Sequence, residues 1–454
     1  MLDGMLDHVA GVASGPVWKH MPDAERKDLD EPLPRAPRGL EGVYDTFVRR
    51  VLPYAAGNLH PRFFGWVHGG GNLAGMLGEM LAAGLDANLG GRDHAPVLIE
   101  RQVVRWAREI FRFPETATGI LVTGSSIANF MAVVVAKTAR LGVETRKKGL
   151  AGHRLVAYTS SAAHGCVIRA MELSGLGSDA LRVLPVDASH RLPVGELAAA
   201  IARDRAAGLE PFLVVASAGT VDTGAVDDLE ALADLAAREK LWLHIDGALG
   251  SLGVLSPKIA PRLAGIERAD SIALDFHKWL QVPYDAGFLL VRDGDAHRAA
   301  FAQRPAYLAR AKRGLAAGEP WFTDFGPDLS RGFRALKVWF TIATYGADQL
   351  GAAIERTCAL ASRLGDRVSR EPALELLAPV NLNVVCFRVR HADADRFNDD
   401  IVIDLQESGF AVTSTTRIDD KLAIRAAIVN HRTTESDIDA LVDEVLRLTA
   451  QKAR

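Results

Sequence analysis

The sequence predicts an α/β protein: a large domain built on a mainly parallel sheet, followed by a small C-terminal α+β domain. Between about residues 119 and 292, short continuous apolar runs alternate with helical stretches. That is the pattern of strands covered on both faces by crossover helices. After about residue 345 the texture changes to alternating strands and an amphipathic helix. A third observation points to function. Most predicted strands run straight into polar residues, and open α/β sheets bind ligands at the carboxyl ends of their strands.

Residues 1–60 are mixed and contain "EPLPRAPRG" (31–39), too stiff and polar for a core element and suited to a strap over another surface. "GILV" (119–122) is a strand followed by a helix from Ser125, and "RLVAY" (154–158) a strand followed by one near His164. "PFLVVA" (211–216) precedes "DDLEALADLAAREK" (227–240), where Leu229, Leu232, Leu235 and Ala236 recur at helical spacing. "LWLHI" (241–245), "SIAL" (271–274) and "GFLLV" (287–291) complete the apolar runs. "RGFRALKVWFTIATYG" (331–346) reads as a long helix with Phe333, Leu336, Trp339 and Phe340 on one side. "NVVCFRVR" (383–390) alternates like a half-buried strand, and "LAIRAAIVN" (422–430) can pair with it. In "TESDIDALVDEVLRL" (434–448), a polar N-cap precedes Ile438, Leu441, Val442, Val445 and Leu448 on one helix face.

The totals narrow the class. In 454 residues, 48% are hydrophobic and 24% charged, with a formal net charge of -3. That balance is globular and asks for neither nucleic acid nor an anionic membrane as partner. Cys166, Cys358 and Cys386 are odd in number and far apart, which argues against a disulfide framework or zinc site and for a reducing compartment. The start lacks the basic and apolar regions of a signal peptide, and no run reaches the roughly 20 apolar residues of a membrane span. The expectation is a cytoplasmic protein.

Five predicted strands deliver polar groups to one sheet edge: Thr123-Gly124-Ser125-Ser126, then Thr159 to His164, then Ser217 and Thr220, then Asp246, then Asp275, His277 and Lys278. Ser125 and Ser126 at a helix start offer N–H groups, hydroxyls and a positive dipole end to a phosphate, or serve as an ordinary N-cap. Asp246, after an apolar strand, needs a cation or donor, met by a ligand or by a buried ion pair. His164 and His277 read equally as ligand contacts or as structural histidines. Lys278 is the sharpest feature, because a partly desolvated amine forms a Schiff base with a carbonyl. A lysine for an aldehyde, a carboxylate for a ring nitrogen and a helix end for a phosphate are what pyridoxal phosphate requires.

The chain resembles the group II pyridoxal-phosphate decarboxylases, of the bacterial aromatic-L-amino-acid type. "LHIDGALG" (243–250) and "ADSIALDFHKWLQVPYDAGFLLVRD" (269–293) carry the resemblance. "HPRFFGW" (60–66), "TGSSIAN" (123–129), "SSAAHGCVIRA" (160–170), "SAGTVDTGAVDDL" (217–229), "FRALKVWFTIATYG" (333–346) and "IVNHRTTESDID" (428–439) extend it over most of the chain.

The resemblance implies fold type I with a mainly parallel seven-stranded sheet. It implies a segment 1–70 wrapping a partner subunit, a cofactor domain over 71–345 and a small domain over 346–454. It assigns Lys278 to the Schiff base, Asp246 to the pyridinium nitrogen, His164 and Ala248 to the two ring faces, and Thr220 to the phenolic oxygen. Ser125, Ser126 and His277 are assigned to the phosphate, and Tyr307, in a loop with Gly314 and Gly318, to protonation of the carbanion. Trp66 and His68 fall where the aromatic branch lines its side-chain pocket. "DANLGGRDHAPVLIE" (86–100), with Arg92 or His94 set to meet a carboxylate, instead resembles the branch acting on acidic or diamino acids. Ile127 stands where the family often has an acid, and Phe276 where proline commonly precedes the His-Lys pair.

The implied reaction is decarboxylation of an L-amino acid, aromatic favoured, by a homodimer with shared active sites. Alternatives are an aldehyde synthase, an aldolase-type lyase, an aminotransferase, a decarboxylase of acidic or diamino acids, or a cofactor-binding protein without turnover.

Overall fold

The computed structural model describes residues 1–303 and 309–452. The chain divides into two compact units, one of residues 1–70 with 357–454 and one of residues 71–356. The first unit opens with α1 (Leu2–Gly11), α2 (Asp23–Leu29) and α3 (Gly39–Thr46), none of which buries a residue.

The 71–356 unit begins with two helices. α4 (Leu73–Leu85) is capped by the Asn72 side chain, which accepts the Gly75 N–H, and α5 (Ala95–Phe111) follows. The sheet then starts with β1 (Thr118–Val122), and α6 (Ser125–Leu141) and the short α7 (Thr145–Lys148) follow. Next come β2 (Leu155–Ser160), α8 (Cys166–Leu173), β3 (Leu181–Leu184), α9 (Val194–Ala206), β4 (Glu210–Ser217) and α10 (Leu229–Glu239). β5 (Trp242–Asp246), β6 (Ser271–Asp275), β7 (Gly287–Val291) and α11 (Gly294–Phe301) complete it. The sheet order is β1-β7-β6-β5-β4-β2-β3. It is parallel except for β7, which runs antiparallel to β1 and β6. β6 and β7 are buried at every position, which is why their sequences read as continuous rather than alternating apolar runs. β3, an edge strand, is half exposed and gave no such run.

This topology sets β1 and β6 on either side of β7, so the ends of β1 and β6 meet. Gly287, at the start of β7, makes the approach possible. A Cβ there would lie 2.4 Å from the Gly124 backbone. Gly287→Ala is therefore expected to cost about 1–3 kcal/mol through backbone displacement and to loosen the β1–α6 turn. Thermal unfolding checks the first effect, and cofactor titration the second.

α12 (Arg334–Arg370) carries the chain out of this unit and is broken at Gly346, which takes a left-handed φ of 73°. The sequence places a domain boundary at 345/346, whereas the compact units divide at 356/357, further along this helix. In the first unit, β8 (Leu374–Leu376), β9 (Val384–Val389), α13 (Ala394–Glu407), β10 (Ser414–Ile418), β11 (Lys421–Ala427) and α14 (Glu435–Lys452) follow. Their antiparallel sheet has the order β10-β11-β9-β8, and β11 pairs with β9 as the sequence predicts, Ile424 opposite Phe387. All five predicted apolar residues of α14 are buried. Residues 58–64 join this unit through main-chain bonds. The Phe64 N–H donates to Val412 O at 2.7 Å, and the Asn430 side-chain amide donates to the carbonyls of Asn58, Leu59 and His60.

Candidate active site

The carboxyl ends of β1, β5 and β6 face one helical layer. Side chains alternate along a strand, so His244 and Asp246 of β5 share a face. His244 Nε2 lies 2.9 Å from Asn129 Oδ1 on α6, and Asp246 Oδ2 lies 3.7 Å from Cys166 Sγ on α8. Asp275, at the end of β6, meets Ser125 at the start of α6. The sheet face under α6 and α8 therefore carries both acids.

Asp275 is the hub. Its carboxylate accepts the Ser125 N–H and Oγ–H, each at 2.7 Å, and pairs with Lys278 Nζ at 2.8 Å. Burial by itself would raise this carboxyl, but Lys278, His277 and the bonds from Lys278 and Ser125 outweigh it and hold it below the usual carboxylate range. Lys278 keeps 21% of its side chain exposed, so its amine reaches the open edge. His277 Nδ1 accepts the Ala286 N–H at 3.0 Å, and its ring packs on Tyr284 with centroids 4.3 Å apart. Burial pushes the His277 ring below its ordinary value, against the pull of Asp275.

Asp246 is buried, and its Oδ1 accepts the Ala248 N–H at 3.2 Å. Burial, then Asp246, push the Cys166 thiol up, so it stays protonated and donates to that acid. His164 is exposed, and its Nδ1 accepts the Cys166 N–H at 3.2 Å. Thr220 is buried, its hydroxyl 3.1 Å from that of Thr223 and 3.1 Å from the Ala225 N–H.

The structure thus brings Ser125, Asp246, His277 and Lys278 into one neighbourhood, and the Cys166 thiol feels Asp246, Lys278 and Asp275 together. Ser126 is exposed at the same helix start. Trp66 and His68 belong to the other compact unit, where their rings stack on each other and on Phe63 at 5.6–6.1 Å. Tyr307 lies outside the described residues. Gly314 and Gly318 take left-handed turns in a fastened stretch: Ala317 N–H bonds Gly314 O, and Arg101 holds Gly318 O. Arg92 stacks on Trp321, 4.3 Å from the ring centroid.

Sequence reasoning did not foresee the chain of bonds beneath the site. Trp242 Nε1–H donates to Ser271 Oγ at 2.8 Å, Ser271 Oγ meets His244 Nδ1 at 2.8 Å, and Asn129 Nδ2–H donates to Ser125 O at 2.8 Å. Asn129 Oδ1 can only accept, so His244 Nε2–H donates to it, and the Nδ1 of the neutral ring then accepts from Ser271 Oγ–H, whose oxygen also accepts from Trp242. The signal was the period of two that sets His244 on the face of Asp246. Burial lowers the His244 ring to about 3. That lies below the ordinary 6.5 of the unfolded chain, so the unfolded state takes the proton first. The stabilising share is whole above pH 6.5 and is lost as pH falls toward 3. The stability difference between wild type and His244→Gln is expected to shrink by about 1.4 kcal/mol per pH unit below that point. Denaturant titrations at several pH values measure it, and a pH-independent difference contradicts it.

Residues 22–390 match the family model described as the pyridoxal-dependent decarboxylase conserved domain. The chain belongs to this decarboxylase family. An aromatic-L-amino-acid decarboxylase of Bacillus atrophaeus is 33% identical over 98% of this chain and 94% of its own. An L-2,4-diaminobutyrate decarboxylase of Rhizobium meliloti is 31% identical over 92% of this chain and 83% of its own. The crystal structure of Oryza sativa TDC with PLP and tryptamine superposes with a TM-score of 0.92 at 26% identity, covering 100% of this chain and 96% of that one. The decarboxylase is a fold-type I, pyridoxal-phosphate-dependent carboxy-lyase. Its residues fit that cofactor: a lysine amine at the open edge, a buried carboxylate at the end of β5, and a helix start at Gly124 where an added Cβ would meet nothing nearer than 3.9 Å.

Proposed function

We propose that this decarboxylase converts an aromatic L-amino acid to its amine and CO₂, as a homodimer in the reducing cytoplasm. The observation that carries the reaction is the convergence of Lys278, Asp246 and the α6 start on one face of the sheet edge. When bound, pyridoxal phosphate supplies an electron sink for the bond broken at the substrate Cα. Lys278 holds the aldehyde carbon, and Asp246, fixed by the Ala248 N–H and the Cys166 thiol, offers its carboxylate to the ring nitrogen. His164 and Ala248 flank the ring, Thr220 serves its phenolic oxygen, and Ser125, Ser126 and His277 form the phosphate end. Tyr307 returns a proton to the carbon that CO₂ leaves.

The aromatic preference is supported by the names of relatives and by Trp66, 54% exposed and backed by His68 and Phe63, a surface suited to stacking a ring. The homodimer is supported by exposed Leu33, Leu40, Val43 and Val51 in the N-terminal segment, an apolar surface a second copy would cover. The reducing compartment is supported by three buried free cysteines.

The test is product analysis with L-tryptophan, L-tyrosine, L-phenylalanine, L-glutamate and L-2,4-diaminobutyrate. Amine and CO₂ from an aromatic substrate are expected; turnover of only the acidic or diamino substrates refutes the preference, and aldehyde in place of amine refutes the reaction. Tyr307→Phe is expected to lower amine formation by about 10²-fold and divert product to the aldehyde, measured on the same panel.

A further inference from the structure

The α6 start already holds an anion belonging to the protein. A helix N-terminus attracts anions through its free N–H groups and dipole. Here the Ser125 N–H and Oγ–H both go to Asp275, at 2.7 Å each, and the Lys278 ammonium goes to the same carboxylate at 2.8 Å. Asp275 is 2% exposed, so water screens it poorly. Beyond Lys278, the neighbouring charges are largely engaged elsewhere. Burial pushes the His277 ring below its ordinary value. Lys337 pairs with Glu79 at 3.0 Å, Arg334 pairs with Asp285 at 2.8 Å, and Asp246 adds a second negative charge. Gly124 leaves open space beside the hub: a Cβ there would sit 3.9 Å from Asp275 Oδ1 and 4.0 Å from His277 Cε1.

We propose that Asp275 is a built-in competitor of the cofactor's phosphate: it claims the Ser125 donors and the Lys278 ammonium, repels a phosphate at Gly124–Ser126, and so weakens cofactor retention. This rests on the site proposed above. Asp275 is a positioning residue that trades affinity for order. It fixes Lys278 and the β1–α6 turn in one frame through a single carboxylate, and like charge near the phosphate is the consequence. Ser125 is then contested between Asp275 and the phosphate, beside Ser126, His277 and main-chain N–H groups.

Asp275→Asn tests this, because it keeps the shape and an acceptor for the Ser125 N–H but removes the charge. Apoprotein is titrated calorimetrically with inorganic phosphate, pyridoxal phosphate and phosphate-free pyridoxal. Asp275→Asn is expected to bind the two phosphate probes about tenfold more tightly, with pyridoxal changed by less than about twofold. A merely structural role would weaken all three. Unchanged or weaker phosphate binding overturns the proposal, and so does equal tightening of all three, which would place the effect on Lys278 alone. Asp275→Ser is the second variant, should Asp275→Asn not fold. It also removes the charge, so binding of the two phosphate probes is expected to tighten about tenfold; unchanged or weaker phosphate binding overturns the proposal. Wild type that takes up no pyridoxal phosphate would refute the site itself, whereas uptake without the variant difference refutes only the role of Asp275.

Discussion

Lys278→Ala is expected to abolish turnover, by on the order of 10⁴-fold or more, and to remove the visible absorbance that a lysine-held pyridoxal gives. The Lys278 amine is the lysine brought to the open edge among the described site residues, a group able to hold an aldehyde covalently, and it is held in place by Asp275 2.8 Å away. Loss of the side chain leaves Asp275 still bonded to Ser125, so the fold is expected to survive. The pairing of outcomes is what makes the experiment decisive. A variant that stays folded, at a melting temperature lowered by the stranded Asp275 charge, with no absorbance and no CO₂ places the chemistry on Lys278. Retained absorbance after gel filtration, or retained CO₂ evolution, would remove Lys278 from the mechanism. Asp246→Asn offers a useful contrast, because it removes the carboxylate that the proposed function assigns to the ring nitrogen and leaves the lysine. It is expected to keep bound cofactor while losing rate, which absorbance and CO₂ evolution measure together.

Arg331→Ala is expected to cost about 3–5 kcal/mol, the range for leaving one member of a buried pair uncompensated. Arg331 and Glu100 are both 1% exposed. The guanidinium donates to both carboxylate oxygens of Glu100, at 2.5 and 3.0 Å, and to the carbonyls of Leu89 and Leu121. Glu100 in turn accepts the Leu121 N–H at 3.1 Å. One ion pair therefore ties α5, β1 and the segments around residues 89 and 331 together behind the site. Urea unfolding measures the loss, and a change under about 1 kcal/mol would show that the pair does not carry this role. The double replacement Glu100→Leu with Arg331→Met is expected to recover most of the loss, because it removes both charges and keeps volume.

The strands were legible because their signal is local. "GFLLV" is β7 residue for residue, and the other apolar runs fall within one or two positions of β1, β2, β4, β5 and β6. Edge strand β3 escaped because Arg182, paired with Asp204, interrupts it and Val183 is exposed, which leaves no apolar run. The antiparallel direction of β7 also escaped, because a strand reads the same in either direction. Among the site residues, Asp246, His277 and Lys278 stood out by following apolar runs. Asp275 was visible in the same motif but had no role, since its partner Ser125 lies 150 residues away.

The sequence by itself determined the chemistry: a lysine, an acid and a helix start at strand ends, in an order that resembles one decarboxylase family. Periodicity and strand termini are short-range properties, and reactive residue types announce themselves. Only the tertiary structure decided how those groups are held. The order β1-β7-β6-β5 brings Ser125 to Asp275, and the packing of α6 on that face sets Asn129 against His244, 115 residues away. Glu100 meets Arg331 across 231 residues in the same way. Such contacts depend on which strands become neighbours, and hydrophobic patterning leaves that choice to packing.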